Sequence, residues 1–466
     1  MKKVDIVNAN PFFLEEVNYS TVPVLDSDEY LQRIDLLLER LRSRRLTHAI
    51  IYGDREHFAN IEYFTGYDPR FEEALLIIDK EGKITIIVGN EGWSYSFKIP
   101  YEINRILYQN FSLQGQPREK LKPLSKVLSE VGLSSSTKIG IIGYKYFESN
   151  HTGDPDYMFD IPAYILNSVY EIASKENVIN ITKELTGLPD GIRMVLRSAK
   201  EVAAAEYAAG KTANAELRML KNLKPGISEL ELTETARVDF SPISVFPMIN
   251  FGSEHVSLAL RSPNYRILKL GEPYSICYAI RGALTSRAGI AAYDRGSYPE
   301  GHEGMLENFY MPYWEAIAVW YEGLYVGAVA GDIYRKVTEL IGGPEFGLYL
   351  NTGHNIGQDE WTNSPFYKGS ELRISDGSHL QCDIIASSSN PFMSAICEDG
   401  IIIAGNELRR EVKAEYPEVW ARIKKRQKLM RSILGIDISD DVLPLSNINA
   451  VYWPFMLDTG KVLVFR

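Results

Sequence analysis

The sequence predicts two domains in which helices and strands alternate, the first of them an α/β domain. The chain has 466 residues, whereas a single hydrophobic core stops growing near about 250–300 residues. In the first half, short β-branched runs alternate with amphipathic segments, which is typical of α/β structure. Proline and glycine then cluster in the segment 187–191. We therefore predict one domain over residues 1–188 and a second over residues 189–466.

The first predicted helix begins after Asp26, an acidic residue suited to the N-cap position. Its apolar residues recur at helical spacing and form one stripe. They are Leu31, Ile34, Leu37, Leu38 and Leu41. β-Branched runs bounded by glycine or charged turns predict strands at 48–52, 74–79, 84–88 and 138–142, with a further helix near 121–131.

The second predicted domain begins with a long helix that runs to about Leu223. The stretch is rich in alanine and ends at Pro225-Gly226, where the helix cannot continue. Beyond it, strands are predicted at 274–280, 379–385 and 400–404, with helices near 303–323 and 331–340. We expect the first of these strands to continue to Ala288.

Charge and cysteine content exclude several classes of protein. Lys and Arg number 50 against 61 Asp and Glu, a net charge of −11, which has the wrong sign for binding nucleic-acid phosphates. The three cysteines, Cys277, Cys382 and Cys397, have no CxxC spacing, so neither a disulfide framework nor a thiolate zinc site is expected. No apolar run approaches the length of about 18 residues that a membrane span needs. The sequence predicts a cytoplasmic protein with neither a nucleic-acid nor a membrane partner.

Four segments carry motif-like residues, and in chain order they are Asn60-Ile61-Glu62-Tyr63-Phe64-Thr65-Gly66, Arg197-Ser198-Ala199-Lys200-Glu201-Val202, Lys224-Pro225-Gly226-Ile227-Ser228-Glu229 and Gly353-His354-Asn355-Ile356-Gly357. They resemble signatures of the creatinase, prolidase and aminopeptidase proteins, in which they occur in the same order. The chain therefore resembles the pita-bread superfamily of Xaa-Pro peptidases, methionine aminopeptidases and creatinase. The resemblance implies an α/β creatinase-like N-terminal domain, an α+β pita-bread C-terminal domain of the catalytic type, and a homodimer.

The resemblance also implies five metal ligands, two Asp, one His and two Glu, which hold two divalent ions. Three of these positions are matched, by His354, Asp383 and Glu398. The two Asp positions fall on other residues. The first falls on Cys277, or on Tyr278 if the register slips by one. The second falls on Ser286 or Arg287.

We interpret the chain as a hydrolase of a C–N bond in a small amide, amidine or peptide-like substrate. In this interpretation His354 is the general acid/base, and Asp383 or Glu398 orients a water. Arg287 stabilises developing negative charge and replaces the missing cation by pairing with both carboxylates. The prediction is accordingly a hydrolase without a cofactor.

Two alternatives stay open. One is an Xaa-Pro dipeptidase or aminopeptidase with a rearranged site, in which His354, Asp383 and Glu398 hold a single Mn, Co or Zn ion. The other is a catalytically inactive homologue that binds a ligand in the same cleft.

Three further residues are candidates for contacting a substrate. Two histidine positions of the family fall on Leu260 and Trp361, so we expect Trp361 at the site. His255 could take the place of Leu260 only if its loop is re-registered. Tyr278 joins the set through the alternative register on its strand.

Overall fold

The computed structural model describes residues 2–8, 11–119, 121–148, 153–257, 260–389 and 392–466. Two compact units are present, Leu25–Met194 and a second made of Met1–Val24 with Val195–Arg466; we call them the N-terminal and C-terminal units. The predicted domain boundary at residue 188 lies close to the observed division. The first residues differ from the prediction, because Val4–Asn8 pairs antiparallel with Lys461–Phe465 and so joins the C-terminal unit.

The strands are numbered in chain order. They are β1 Val4–Asn8, β2 His48–Gly53, β3 Ala74–Asp79, β4 Ile84–Val88, β5 Asn104–Leu107, β6 Ile139–Ile142, β7 Val178–Asn180, β8 Val245–Phe251, β9 Pro273–Ile280, β10 Ala283–Ile290, β11 His354–Asn355, β12 Ser378–Cys382, β13 Ala386–Ser389, β14 Phe392–Ile403, β15 Val442–Pro444 and β16 Lys461–Phe465.

The α-helices are numbered in the same way. They are α1 Ser27–Arg44, α2 Ala59–Thr65, α3 Asn90–Tyr95, α4 Leu124–Val131, α5 Ala163–Tyr170, α6 Lys183–Thr186, α7 Ala199–Asn222, α8 Glu229–Thr235, α9 Ser253–Val256, α10 Met311–Glu322, α11 Ala330–Ile341, α12 Asn406–Glu415 and α13 Pro417–Ser432.

The N-terminal unit is a six-stranded sheet in the order β5-β4-β3-β2-β6-β7. Helix α1 begins as predicted, since the side chain of Asp26 accepts hydrogen bonds from the backbone of Asp28 and Glu29. Neighbouring residues of β2 face opposite sides of the sheet. Ile51 packs in one hydrophobic cluster with the α1 stripe, and Ile50 packs in another with α4 and α5. Helices cover both faces, which confirms the predicted α/β domain.

The C-terminal unit is built on an eight-stranded sheet with the central order β11-β12-β14-β10-β9-β8. The long helix α7 packs against β9 and β10, and Ser198 caps its N-terminus by accepting a hydrogen bond from the backbone of Glu201. This helix confirms the prediction for the alanine-rich stretch. No helix in the described ranges is long and apolar enough to cross a membrane.

The expectation of one strand running on to Ala288 is wrong. The chain turns at Arg281-Gly282, where Gly282 has φ +94°, a conformation that glycine adopts without a steric penalty. The segment forms the antiparallel hairpin β9–β10 instead. Two other predicted strands are shifted. β12 ends at Cys382, so Asp383 follows it, and β14 begins at Phe392, so it includes Glu398.

Candidate functional site

Strand register decides which side chains reach each face of the C-terminal sheet. Ser286 on β10 lies opposite Cys277 on β9 and opposite Glu398 on β14. Residues that are directly opposite in a sheet point to the same face, and neighbours along a strand point to opposite faces. Cys277, Ser286 and Glu398 therefore share one face, which we call the triad face. Arg287 points to the other face.

Three buried ionisable groups meet on the triad face, and we call them the triad. His354 begins β11, Asp383 follows β12 and Glu398 lies in β14. The His354 Nε2 atom lies 3.8 Å from Asp383 Oδ2 and 3.7 Å from Glu398 Oε1. One potential ligand atom from each residue lies within 4.8 Å of the others. The side chains of the triad are 1%, 6% and 8% exposed.

The ring of His354 is held on two sides. Its Nδ1 atom lies 3.1 Å from the backbone oxygen of Asn355, and a carbonyl oxygen can only accept a hydrogen bond. Nδ1 therefore carries a proton, and the Nε2 atom faces the two carboxyl groups. Trp361 stacks on the same ring, with centroids 4.1 Å apart and planes 19° apart.

The surrounding protein does little to stabilise negative charge on the two carboxyl groups of the triad. Burial raises the pKa of Asp383 well above its usual range, and the charge of Glu398 adds to this effect. Burial also raises the pKa of Glu398, followed by the charge of Glu360. Among the described residues, Asp383 Oδ1 has no hydrogen-bond partner. Two buried acids thus converge on the Nε2 atom of His354, and the hydrogen bond of Gln381 to Glu398 offsets only part of the effect of burial.

Arg287 does not supply the expected cation to the triad. Its side chain is fully buried on the opposite face and pairs with Asp399, at 2.8 Å. The guanidinium also donates to the backbone oxygens of Val451, Ser286, Glu398 and Ile448. The predicted pairing of Arg287 with the carboxyl groups of Asp383 and Glu398 is wrong. Side chains alternate between the two faces along β10 and β14, so Arg287 points away from the Glu398 carboxyl group and meets Asp399. Burial raises the pKa of Asp399 to about 6, although Arg287 lowers it.

A second buried acid lies near Arg287 on helix α7. Glu216 is fully buried, and neither carboxyl oxygen has a hydrogen-bond partner in the described ranges. Burial raises its pKa well above the usual range, although the charge of Arg287 opposes the shift. Glu216 is accordingly protonated in the folded chain at pH values where the unfolded chain has lost the proton.

We expect the variant Glu216→Gln to change how stability depends on pH. The folded pKa of Glu216 lies above the unfolded one, so the wild type loses stability as pH rises from about 4.5 towards the folded pKa, by up to about 1.4 kcal/mol per pH unit. Glutamine does not titrate, so the free energy of unfolding of the variant, relative to wild type, should increase over that range. Urea unfolding at a series of pH values measures it, with Glu234→Gln on the exposed side of α8 as control. Parallel pH curves for wild type and Glu216→Gln would contradict the expectation.

The other predicted contact residues lie in three different places. Trp361 is at the triad, as expected. Tyr278 lies on the opposite face in the main hydrophobic core, where burial raises its pKa to about 12. His255 lies in the short helix α9, and its ring contacts the guanidinium of Arg261. The structure therefore brings Trp361 to the triad and Tyr278 to the opposite face, whereas the described contact of the His255 ring is with Arg261.

Sequence patterns missed two polar groups near the triad. Burial raises the pKa of Glu360, and its charge acts on both Asp383 and Glu398. His379 lies on β12, four residues before Asp383, so it faces the same side; burial and the charge of His354 lower its pKa to about 3. Glu360 precedes Trp361 directly, which is the one local signal that could have identified it.

The residues present do not fit the two-ion centre that the resemblance implies. Hard divalent ions in such a centre need bridging carboxylates. Ser286 donates its hydroxyl hydrogen to the backbone oxygen of Ile276. Burial raises the pKa of Cys277 well above its usual range, so it remains a thiol. Neither position offers an anionic oxygen, whereas the triad offers three ligands for one ion.

Solved structures with the same architecture are prolidases and related peptidases. A prolidase from Thermococcus sibiricus matches with a TM-score of 0.62 and 16% identity, covering 82% of this chain and 95% of that one. An Xaa-Pro dipeptidase from Bacillus anthracis matches with a TM-score of 0.60 and 14% identity, covering 81% of this chain and 96% of that one. An X-Pro aminopeptidase from Thermotoga maritima matches with a TM-score of 0.59 and 12% identity, covering 79% of this chain and 94% of that one. These matches confirm the predicted two-domain pita-bread fold.

Comparison of sequences alone gives no such match. No protein-family model matches the chain, and no curated protein matches it. The likeness is therefore one of fold, and any activity has to follow from the chemistry of the site itself.

Proposed function

We propose that this chain hydrolyses a C–N bond in a small amide- or peptide-like substrate, and that the triad holds a single divalent metal ion for the reaction. The observation that carries the proposal is the convergence of the His354 Nε2 atom with two buried carboxyl groups. Three acceptors that face one another repel unless a cation or a proton lies between them. The metal-free interpretation needs Arg287 at the triad, and Arg287 instead pairs with Asp399 on the other face.

The spacing of the triad favours a metal ion over a proton. Hydrogen bonds between charged nitrogen and oxygen atoms are about 2.7–2.9 Å long, whereas the two distances from His354 are 3.7 and 3.8 Å. Bonds of about 2.0–2.2 Å to a shared ion place the ligand atoms between about 3 and 4 Å apart. The ligand set of one imidazole and two carboxylates suits Zn, Mn or Co.

The surrounding residues assist the triad in distinct ways. A bound divalent ion would polarise a substrate carbonyl and activate water. Trp361, stacked on the imidazole, fixes the ring orientation of His354. The carboxyl group of Glu360, whose pKa is raised by burial, can hold a proton near the reacting bond. A small apolar cluster on the same face excludes water, and its members are Met248, Cys277, Ala279, Leu284 and Ile356.

Metal content and hydrolysis together test the proposal. We expect the purified chain, after loading with Mn, Co or Zn and removal of excess, to retain about one equivalent of metal per chain. We also expect it to cleave at least one amide in a panel that starts with peptides beginning in Xaa-Pro, because two of the structural neighbours are named an Xaa-Pro dipeptidase and an X-Pro aminopeptidase. A chelator should remove both the metal and the activity.

Other outcomes would replace the proposal. Hydrolysis that persists without metal would favour the cofactor-free mechanism with a protonated His354. Two equivalents of tightly bound metal would mean that the triad is not the whole ligand set. Metal binding without hydrolysis across the panel would favour an inactive ligand-binding homologue.

A further inference from the structure

A cavity of about 280 Å³ lies in the N-terminal unit, between the loop that follows α2 and the start of α3. Three aromatic side chains, Tyr67, Phe71 and Tyr95, form part of its lining. The rings of Tyr67 and Tyr95 lie 5.3 Å apart with their planes inclined by 52°. Phe71 is 66% exposed at the edge. The cavity is thus lined in part by aromatic side chains.

A buried carboxyl group is built into the lining of this cavity. Glu72 is only 4% exposed, and its Oε2 atom accepts hydrogen bonds from the backbone of Glu91 and Gly92, at 2.9 and 3.0 Å. Its Oε1 atom has no hydrogen-bond partner among the residues described. A Cβ atom at Gly89 would collide with Oε2, so glycine at that position makes room for the carboxyl group. One oxygen is therefore held in place and the other is left without a partner, which is costly in a buried site.

More negative than positive side chains surround the cavity. Asp68, Glu72 and Glu91 line it together with Arg70, and the ammonium of Lys98 lies 4.9 Å from the centroid of the Tyr95 ring. Arg70 is paired with Asp68, at 2.6 Å, so its charge is already compensated. Gln116 donates to Glu91, which leaves the carboxylate charge of Glu91 in place.

We propose that this cavity binds an alkylammonium group. Aromatic ring faces attract a cation within about 6 Å of their centroids, and more strongly when the site is desolvated. Glu72 has one oxygen left to accept, which suits the compact ammonium point charge better than the planar fork of a guanidinium. The volume lies just below the usual range for small-molecule sites, about 300–1,000 Å³, so the fitting ligand is an ammonium on a short alkyl chain.

Ligand-observed saturation-transfer NMR on the full chain tests this binding. The probe is n-butylammonium and the matched neutral ligand is n-butanol, which has nearly the same shape and no charge. We expect saturation transfer to n-butylammonium and at least about tenfold weaker binding of n-butanol. Nα-acetyl-lysine methylamide is the second probe: tighter binding of this compound indicates a lysine side chain as the source, and tighter binding of butylammonium indicates a free amine. Equal binding of n-butylammonium and n-butanol, or no binding of either ammonium probe, would overturn the proposal.

Variants locate the binding in this cavity. Glu72→Gln keeps an acceptor for the two backbone groups, and we expect it to raise the dissociation constant for n-butylammonium about tenfold. We expect Phe71→Ala, at the exposed edge, to raise it about two- to fivefold. Glu130→Gln removes a charge from the exposed surface of α4 and should change nothing. Asp383→Asn in the triad should also leave amine binding unchanged, which keeps this site separate from the proposed metal centre. Unchanged binding in both Glu72→Gln and Phe71→Ala would place the amine elsewhere and contradict the proposal.

Discussion

Replacing Asp383 with asparagine is expected to weaken metal binding by more than about 100-fold and to reduce hydrolysis to background. The amide keeps the shape of the side chain and removes the charge, so one of three ligands loses most of its affinity for a hard cation. Even residues that only orient metal ligands cost about 10- to 100-fold when replaced. Isothermal titration with Zn or Mn measures the affinity, and thermal unfolding checks that the fold persists.

A nearby acid provides the matched control for this variant. Glu360→Gln removes a charge whose field reaches both Asp383 and Glu398, but Glu360 is not a member of the triad. We expect its metal affinity to change by less than about tenfold. Equal losses in Asp383→Asn and Glu360→Gln would mean that diffuse negative charge, and not ligation by the triad, attracts the ion.

Replacing Arg287 with methionine is expected to lower the free energy of unfolding by about 3–5 kcal/mol. The variant leaves Asp399 buried without its partner, and removing one member of a buried ion pair has a cost of this size. Four backbone oxygens also lose a donor. Urea unfolding measures the change, and Arg335→Met on the exposed surface of α11 should change stability by no more than about 1 kcal/mol.

A double variant separates the charge effect from the loss of packing. When Arg287→Met is combined with Asp399→Leu, no unpaired carboxyl group remains, and we expect the double variant to be more stable than Arg287→Met alone. If the double variant were instead as unstable as the sum of the two single variants, the hydrogen bonds to the backbone would outweigh the ion pair.

The sequence was sufficient for the fold because its evidence is local and repeated along the chain. The α1 stripe and the alanine-rich α7 each lie where helical periodicity indicates. His354, Asp383 and Glu398 were found because signature residues fix their positions along the chain. The homodimer and the cytoplasmic location stay predictions.

The role expected of Arg287 depends on which face of the sheet its side chain points to. A shift of the strand register by one residue decides this, and composition and motif spacing do not specify the register. A shift by one residue moves a side chain to the other face of a sheet. The turn at Gly282 sets this register, and the sequence was interpreted there as an uninterrupted strand. Glu360 was missed for another reason, since a single acid in a loop has no periodicity that would mark it.

The pairing of β1 with β16 affects the order in which the chain can fold during synthesis. In the sequence, the N-terminal unit lies between the two segments of the C-terminal unit, so its strands β2–β7 are synthesised before β8–β16. β1 has to remain without its partner until residues 461–465 leave the ribosome, because β16 is the strand that pairs with it among the described residues. An unpaired strand edge is a site for association with other chains. The charges of Lys2, Lys3 and Asp5 around this strand would oppose such association on the nascent chain.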